Sequence, residues 1–260
     1  MKTRSNLTVR VINLESDTTR RKAVEDNLKD FNDGNWGFFK ALKSDAPFEY
    51  PSEPSKQLIH YGRKLGPGEI GCFKSHVAVI QEFVSNAESD WLLVLEDDVW
   101  VDTLFDYQDT IALAEKANLN YIRLYAKRLK KARVVHAWGE RQLIRYTSDP
   151  YGTQAYLINK TGARRFLQSL KAITLPIDDE MSRFWANGLE IYAVYPFPVV
   201  EKSAPSNIFN DRIQRMADRE TKAVERFLFK VTEKAVKELA NMAFLLKRRH
   251  IAARLNQKRA

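Results

Sequence analysis

Short apolar segments alternate along this chain with segments whose apolar residues recur every three or four positions. The clearest short segments, residues 7–14 (LTVRVINL) and 91–95 (WLLVL), are rich in β-branched and aliphatic residues. Their length suits buried strands and is far below the ~20 residues that a membrane-spanning helix needs. Helical patterns lie between them, one after residue 14 and another opening at Gly66 and Pro67. Strands that alternate with helices predict an α/β fold around a layered sheet.

Other segments give further expectations. Residues 44–67 are rich in proline, serine and charge and show no sustained period. They predict a long loop, and such loops in compact domains often cover a binding site as a lid. Helical spacing predicts helices over residues 104–117 and 177–186.

Cysteine usage and the first residues indicate a compartment. Cys72 is the only cysteine, which excludes an internal disulfide and fits a reducing cytosol. It follows Gly71 among apolar neighbours, so we expect a buried small side chain rather than a nucleophile. Residues 1–6 lead into the first strand without the apolar stretch of a signal peptide. A cytoplasmic protein is therefore expected.

The net charge of +9 is concentrated toward the end of the sequence. Residues 201–260 hold 15 Lys and Arg against 7 Asp and Glu, whereas residues 1–200 hold 27 against 26. Apolar residues recur there every three or four positions from Val224 to Leu246. This spacing predicts a long amphipathic helix that ends in the basic run 247–249.

Residues 212–260 admit several interpretations. Their apolar stripe is expected to pack onto the body of the protein or onto a second subunit, which would make a homodimer. The basic face would meet an anionic membrane surface, where each Lys or Arg contributes ~1 kcal/mol, or would only solubilise the protein. The sequence holds no zinc-finger pattern, and nearly all of its excess positive charge lies in residues 201–260, which argues against specific nucleic-acid recognition.

Three adjacent carboxylates, Glu96, Asp97 and Asp98, come directly after the apolar segment 91–95. Ligand sites in open α/β sheets lie at the carboxyl ends of strands. A divalent cation would relieve the repulsion among these acids, and their hard oxygen atoms suit Mg²⁺ or Mn²⁺. The alternative interpretation is a solvated acidic turn that caps the next helix.

A second cluster lies at residues 66–76 (GPGEIGCFKSH), where three glycines surround a predicted helix start. Free N–H groups at such a start favour an anion, and glycine permits its close approach. The spacing matches neither a Walker P-loop nor a Rossmann fingerprint. Ser75 and His76 follow on the same helix, and His76 alone also fits a buried histidine with a satisfied hydrogen bond.

Two further charged groups are candidates. Arg20 and Arg21 fall in the first turn of a predicted helix, where positive charge opposes the helix dipole. A bound phosphate would remove that conflict, although a solvent-exposed basic pair explains it equally. Asp178 and Asp179 follow Pro176 and Ile177, where a carboxylate could serve as a general base or simply cap a helix.

In this order, the motifs resemble glycosyltransferase family 25, the bacterial lipopolysaccharide and lipooligosaccharide glycosyltransferases related to collagen galactosyltransferases. The matching stretches are residues 11–14 (VINL) with Arg20, 68–72 (GEIGC) with Ser75 and His76, 93–99 (LVLEDDV), 152–158 (GTQAYLI) with Gly162 and Ala163, and 176–178 (PID). The resemblance extends over roughly residues 7–208. It implies a catalytic domain at 1–208 and leaves a basic helical extension at 209–260.

The resemblance also implies a GT-A-like nucleotide-sugar-binding fold with a mixed central sheet and an inverting mechanism. Glu96, Asp97 and Asp98 would stand in for the DxD metal motif. Asp98 would be the direct metal ligand, Asp97 a second candidate, and Glu96 would lie nearer the nucleotide ribose. The remaining implied roles are nucleotide binding for Asn13 and Arg20, pocket closure for Ser75 and His76, and general-base catalysis for Asp178 with Asp179 as the alternative.

The implied reaction moves a hexose, most often galactose from UDP-galactose, onto a lipopolysaccharide, lipooligosaccharide or related glycan with Mn²⁺ or Mg²⁺. Such an enzyme would be cytoplasmic and peripheral on the inner membrane. UDP-glucose or another hexose donor is the alternative, as is a homologue that only binds nucleotide or glycan. A metal-dependent phosphoryl-transfer enzyme could use the same acids, but the sequence lacks a P-loop and any kinase signature.

Overall fold

The computed structural model of the protein describes residues 6–85, 88–202 and 222–256, and an eight-stranded mixed sheet forms its centre. From edge to edge the strand order is β2-β1-β3-β8-β5-β9-β7-β6, and β4 and β10 form a separate antiparallel pair. The strands are β1 Leu7–Asn13, β2 Asn35–Lys40, β3 Trp91–Glu96, β4 Val99–Val101, β5 Tyr121–Arg123, β6 Ala132–Trp138, β7 Arg141–Tyr146, β8 Ala155–Asn159, β9 Tyr192–Tyr195 and β10 Val199–Glu201. The predicted α/β fold with a mixed sheet is confirmed.

Helices cover both faces of this sheet. In the described residues they are α1 Thr18–Leu28, α2 Pro54–His60, α3 Pro67–Ser85, α4 Tyr107–Ala117, α5 Lys160–Ser169, α6 Ile177–Met181, α7 Phe184–Asn187 and α8 Ala223–Asn256. No helix in the described ranges is both long and apolar enough to cross a membrane.

Strand β3 shows how the sequence builds two cores. Trp91, Leu93 and Leu95 pack into one cluster with apolar residues of α1, α4 and α8. Leu92 and Val94 point the other way and join residues of α3, α5 and α6. Because successive strand residues face opposite sides of a sheet, a strand buried on both faces is apolar throughout. The uninterrupted run WLLVL is explained by this double burial.

Strands β1, β2 and β3 finish at the same end of the sheet. Strands β2, β1 and β3 are parallel neighbours, with Ile12 of β1 level with Phe39 of β2 and Glu96 of β3. Strand β8 runs antiparallel between β3 and β5, so it starts, after residue 154, at the same end of the sheet. Loops after β1, β2 and β3 and the loop before β8 consequently converge.

Two sequence predictions about local structure are wrong in detail. Residues 44–67 contain helix α2, which begins at Pro54 and is held by the buried Gln57. The Gln57 amide donates to the Ile173 carbonyl at 3.0 Å and accepts from the Leu65 N–H at 2.9 Å. The spacing of apolar residues within 44–67 does not predict these tertiary contacts. The helix predicted over residues 177–186 is interrupted between α6 and α7.

Helix α8 corrects the prediction for the C-terminal extension. It continues through residues 247–249 to Asn256, and Val224, Leu228, Leu239 and other residues of the predicted apolar stripe are exposed. Packing of that stripe on the body is therefore wrong. The predicted boundary at residues 208 and 209, like residues 212–221, lies outside the described residues.

The opposite face of α8 holds the helix to the body. The Phe229 ring stacks on His60 with 4.1 Å between centroids, and Phe244 is buried. Glu233 accepts hydrogen bonds from the Arg183 guanidinium at 2.7 and 2.8 Å. A few large rings and one ion pair hold this face on the body. The number of apolar residues on a face of α8 therefore does not predict which face packs.

A candidate active site at the ends of the parallel strands

A cleft of about 490 Å³ opens where β1, β2 and β3 end. Six of the predicted site residues line it: Arg20, Ser75, His76, Glu96, Asp97 and Asp98. Residues 41–45, which include the first two residues of the predicted long loop, contribute one wall, and the start of α3 contributes another. Four separate stretches of sequence, within residues 12–20, 41–45, 67–76 and 96–98, thus meet at one site at the ends of the parallel strands.

Asp97 is held from two sides at the end of β3. Its Oδ2 accepts a hydrogen bond of 2.8 Å from the Asn13 amide, and its Oδ1 accepts one of 2.8 Å from the Arg20 guanidinium. Asn13 is buried and does not line the cleft, so it contacts the site through Asp97. The two predicted nucleotide-site residues, Asn13 and Arg20, therefore both fix this carboxylate in the structure.

The positive charge near Asp98 does not offset the cost of burying its carboxylate. Its Oδ1 is buried without a hydrogen-bond partner, and its Oδ2 lies 3.8 Å from the Arg20 guanidinium. Burial raises the pKa of Asp98 to about 7, and the neighbouring Glu96 carboxylate adds to the rise. A second cation placed here would satisfy the orphan oxygen and favour the ionised carboxylate.

Helix α1 presents Arg20 to this acid pair. Asp17 caps the helix by accepting from the Arg20 N–H at 3.0 Å, and the Arg20 side chain lies 3.4 Å from the same carboxylate. Arg21 points elsewhere, with its guanidinium 4.0 Å from the centroid of the Phe38 ring. Only one arginine of the predicted pair therefore reaches the cleft.

Gly71, in the first turns of α3, allows close backbone packing. A Cβ built on Gly71 would lie 2.8 Å from the Leu42 carbonyl oxygen, which is too near for any larger residue. Ser75 reinforces this contact, since its hydroxyl accepts from the Leu42 N–H at 2.8 Å and donates to the Gly71 carbonyl at 2.7 Å. The first role of Ser75 is thus to hold the cleft wall.

His76 is fully buried behind Glu96. Its Nδ1 lies 3.1 Å from the Tyr156 hydroxyl and its Nε2 lies 3.4 Å from Glu96 Oε1. Glu96 Oε1 also accepts a 3.2 Å hydrogen bond from Thr153, and its side chain is partly exposed to the cleft. The imidazole therefore lies beside the Glu96 carboxylate, and Thr153 donates the hydrogen bond that holds this carboxylate.

Cys72, His76 and Glu96 place one ligand atom each within 4.8 Å of one another. Cys72 is half-buried and lines the cleft, so the predicted burial of this side chain is only partial. It lies one helical turn before His76 on α3.

A smaller cavity of about 80 Å³ adjoins the cleft and contains Asp178. The two spaces share Cys72 and Glu96 as lining residues. Asp178 Oδ2 accepts from the Gly152 N–H at 3.3 Å. Asp179 does not line either space, although it is adjacent in sequence. The fold therefore brings the predicted base candidate Asp178 to the far side of Glu96 from Arg20.

Lys202 is a residue near the acids that sequence reasoning missed. Its backbone N–H donates to the Asp98 carbonyl at 2.7 Å, and its buried ammonium lies 5.3 Å from the Trp100 ring centroid. Burial lowers the pKa of Lys202, against the opposing attraction of Asp98 and Asp97. The antiparallel pairing of β4 with β10 creates this proximity, and neither short strand has a sequence signal of its own.

Comparison with known proteins decides the family. The model of glycosyltransferase family 25 (LPS biosynthesis protein) matches residues 6–181, which is more than half of the chain. The chain belongs to glycosyltransferase family 25. Its described fold is a mixed α/β fold with a C-terminal helix, as the resemblance implies.

This family 25 chain matches only part of its longer curated relatives. Inactive glycosyltransferase 25 family member 3 from Homo sapiens is 28% identical over 187 residues, which span 65% of this chain and 30% of that protein. The chain thus spans about a third of the length of the curated relatives it matches. The solved galactosyltransferase LgtC, in complex with donor and acceptor sugar analogues, is 11% identical with a TM-score of 0.39 over 88% of this chain and 95% of LgtC.

Proposed function

We propose that this chain is a metal-dependent, inverting hexosyltransferase that uses a nucleotide-diphosphate sugar. The observation that carries this proposal is the partnerless, buried Oδ1 of Asp98 in a cleft that also holds Arg20. Because burial raises the pKa of Asp98 to about 7, its ionised form is unfavourable at neutral pH unless a cation, free or carried by a ligand, binds beside it. Nucleotide-sugar transfer provides such a cation together with a diphosphate.

The residues present fit a hard divalent cation, Mn²⁺ or Mg²⁺. Asp98 is the proposed ligand because its Oδ1 has no other partner, and Asp97 is the second candidate because Asn13 and Arg20 already occupy one lone pair on each oxygen. When bound, the ion would offset the negative charge of the departing diphosphate.

The protein's own groups divide the remaining tasks. Arg20, 2.8 Å from Asp97, would pair with the diphosphate oxygens. Glu96, which accepts a hydrogen bond from Thr153 and lies beside His76, would meet the ribose hydroxyls. The walls built by residues 41–45 and α3 would enclose the nucleotide, and the segment 44–67 would act as a lid that excludes water.

Asp178 is the proposed general base, with Asp179 as the alternative. The acceptor hydroxyl would attack the anomeric carbon from the side opposite the diphosphate, while Asp178 takes its proton and the carbon–oxygen bond to the diphosphate breaks. That displacement inverts the anomeric centre and releases UDP. The position of Asp178 in a space that adjoins the cleft through Glu96 supports this order of groups.

The donor is proposed to be UDP-galactose, with UDP-glucose or another UDP-hexose as the alternative, and the acceptor a lipopolysaccharide, lipooligosaccharide or related glycan. Residues 1–208 would form the catalytic domain and 209–260 an extension. A cytoplasmic site of action, peripheral on the inner membrane, would place the enzyme beside a lipid-linked acceptor. Binding to anionic vesicles before and after removal of residues 247–260 tests this last point.

Turnover of a UDP-hexose panel with Mn²⁺, with and without EDTA and with lipooligosaccharide fragments as acceptors, tests the proposal. We expect transfer that EDTA stops and that Asp98→Ala abolishes without unfolding the chain. Full activity of Asp98→Ala would refute the assignment.

The second candidate function is a non-catalytic nucleotide- or glycan-binding homologue. The human relative, whose name calls it inactive, favours keeping it open. Saturable UDP-hexose binding without transfer or donor hydrolysis under any metal condition would establish that function instead.

A further inference from the structure

Helix α8 carries a second apolar face that the body does not cover. Beside three further exposed apolar residues, Phe227, Val236 and Leu245, seven residues form a regular line that we call the outer stripe: Val224, Leu228, Val231, Ala235, Leu239, Met242 and Leu246. The six larger members are each 50–79% exposed. The inner face, with Phe229, Glu233 and Phe244, already fixes the helix on the body, so the outer stripe is not required for that docking.

The spacing of the outer stripe is symmetric. Its members are separated by four, three, four, four, three and four residues, and the pattern reads identically in both directions from Ala235. The stripe repeats after eleven residues, close to three full turns of an α-helix, so it runs nearly straight along the helix. From Val224 to Leu246 it extends ~33 Å.

A pattern that reads the same in both directions matches a second copy of itself turned end to end. With the two Ala235 residues in contact, Leu228 of one copy meets Met242 of the other, and Val231 meets Leu239. The small Ala235 side chain lets the two helices approach closely at the symmetry axis. Such an interface is isologous, as in most two-fold dimers.

Charge beside the stripe favours the same occupant. Lys234 and Glu238 lie on one flank, and both are exposed. In the end-to-end arrangement Lys234 of each copy lies across from Glu238 of the other, within ~3 Å along the helix axis. A lipid surface would instead receive the Glu238 carboxylate at the edge of the apolar stripe, where burial of a charge is costly.

We propose that the outer stripe of α8 binds the same stripe of a second copy of this chain in antiparallel orientation, forming a two-fold dimer. The candidate active sites lie at the end of the parallel strands and are separate from this surface. The proposed dimer is therefore independent of the proposed transferase activity.

Sedimentation equilibrium of the full chain tests association. We expect twice the mass of one chain for the wild type and for Leu104→Glu, a matched change at a leucine that is 95% exposed outside α8. Leu228→Glu and Met242→Glu should each halve the mass, with circular dichroism unchanged because both side chains are exposed. A monomeric wild type, or a dimer that survives both α8 variants, overturns the proposal.

Oxidative cross-linking tests the orientation. Ala235→Cys should form a covalent dimer, whereas Leu246→Cys should not, because its mate would lie ~33 Å away. A mixture of Val224→Cys and Leu246→Cys chains should cross-link, and the wild type with its single Cys72 gives the background. Cross-linking of Leu246→Cys alone indicates parallel helices and contradicts the proposal. Binding of a monomer to anionic vesicles that Leu228→Glu abolishes also contradicts it, because the stripe then meets lipid.

Discussion

Burial of the Asp98 carboxyl group lowers the stability of the folded, metal-free chain at neutral pH. Burial raises its pKa to about 7, so the folded chain holds a proton that the unfolded chain releases near the ordinary carboxyl value. The contribution of this group to folding is therefore most favourable at low pH and is lost as pH rises toward 7. An ionised Asp98 at neutral pH destabilises the metal-free protein.

We accordingly expect Asp98→Asn to stabilise the metal-free chain at pH 8 by up to a few kcal/mol, and to have little effect at pH 4. Urea unfolding at the two pH values measures the difference. Asp45→Asn, at an exposed carboxylate of the same cleft, is the matched control and should change neither value. A destabilised Asp98→Asn at pH 8 would contradict the proposed electrostatic cost.

Asp178 and its neighbour allow a comparison of two adjacent carboxylates. If Asp178 removes the proton of the acceptor, Asp178→Asn should lower kcat by roughly 10²- to 10⁴-fold and leave UDP affinity unchanged. Asp179→Asn should change kcat little, since Asp179 lines neither space. Steady-state kinetics together with UDP titration calorimetry separate the two effects. The reverse ranking of the variants would assign the base to Asp179.

At the scale of elements, the contact between α3 and the segment after β2 shapes the cleft. Gly71→Ala places a Cβ 2.8 Å from the Leu42 carbonyl oxygen, so the helix must shift away. We expect a loss of ~1–3 kcal/mol of unfolding free energy and weaker UDP binding. Gly37→Ala in β2, whose nearest neighbouring atom would be 3.8 Å away, serves as the control. Unchanged stability and UDP affinity in Gly71→Ala would show that the wall yields.

The elements also show how far sequence reasoning extends. Strand β3 and helix α3 are predictable because their burial imposes a local pattern, and their ends position Glu96 and the Gly71 turn. Helix α2 is not predictable, because the tertiary contacts of Gln57 stabilise it. The place of Lys202 beside Asp98 depends on pairing between two three-residue strands that lie far apart in sequence.

At the scale of the whole molecule, the long helix α8 is held on the sheet domain by a polar clamp, the ion pair between Glu233 and Arg183. Glu233→Ala should leave the Arg183 guanidinium, which is largely buried, paired with Glu180 alone. We expect destabilisation of ~1–3 kcal/mol and faster amide exchange along α8. Glu225→Ala, at an exposed acid in the first turn of α8, is the control and should be close to neutral. Equal exchange rates in both variants would rule out the clamp.

The junction of the two cavities has a practical consequence. Cys72 lines both spaces and is the only cysteine in the chain, so a maleimide dye would attach at one position between the nucleotide side and Asp178. Fluorescence from that position would follow filling of the cleft without a coupled assay. The natural sequence thus supplies its own reporter group.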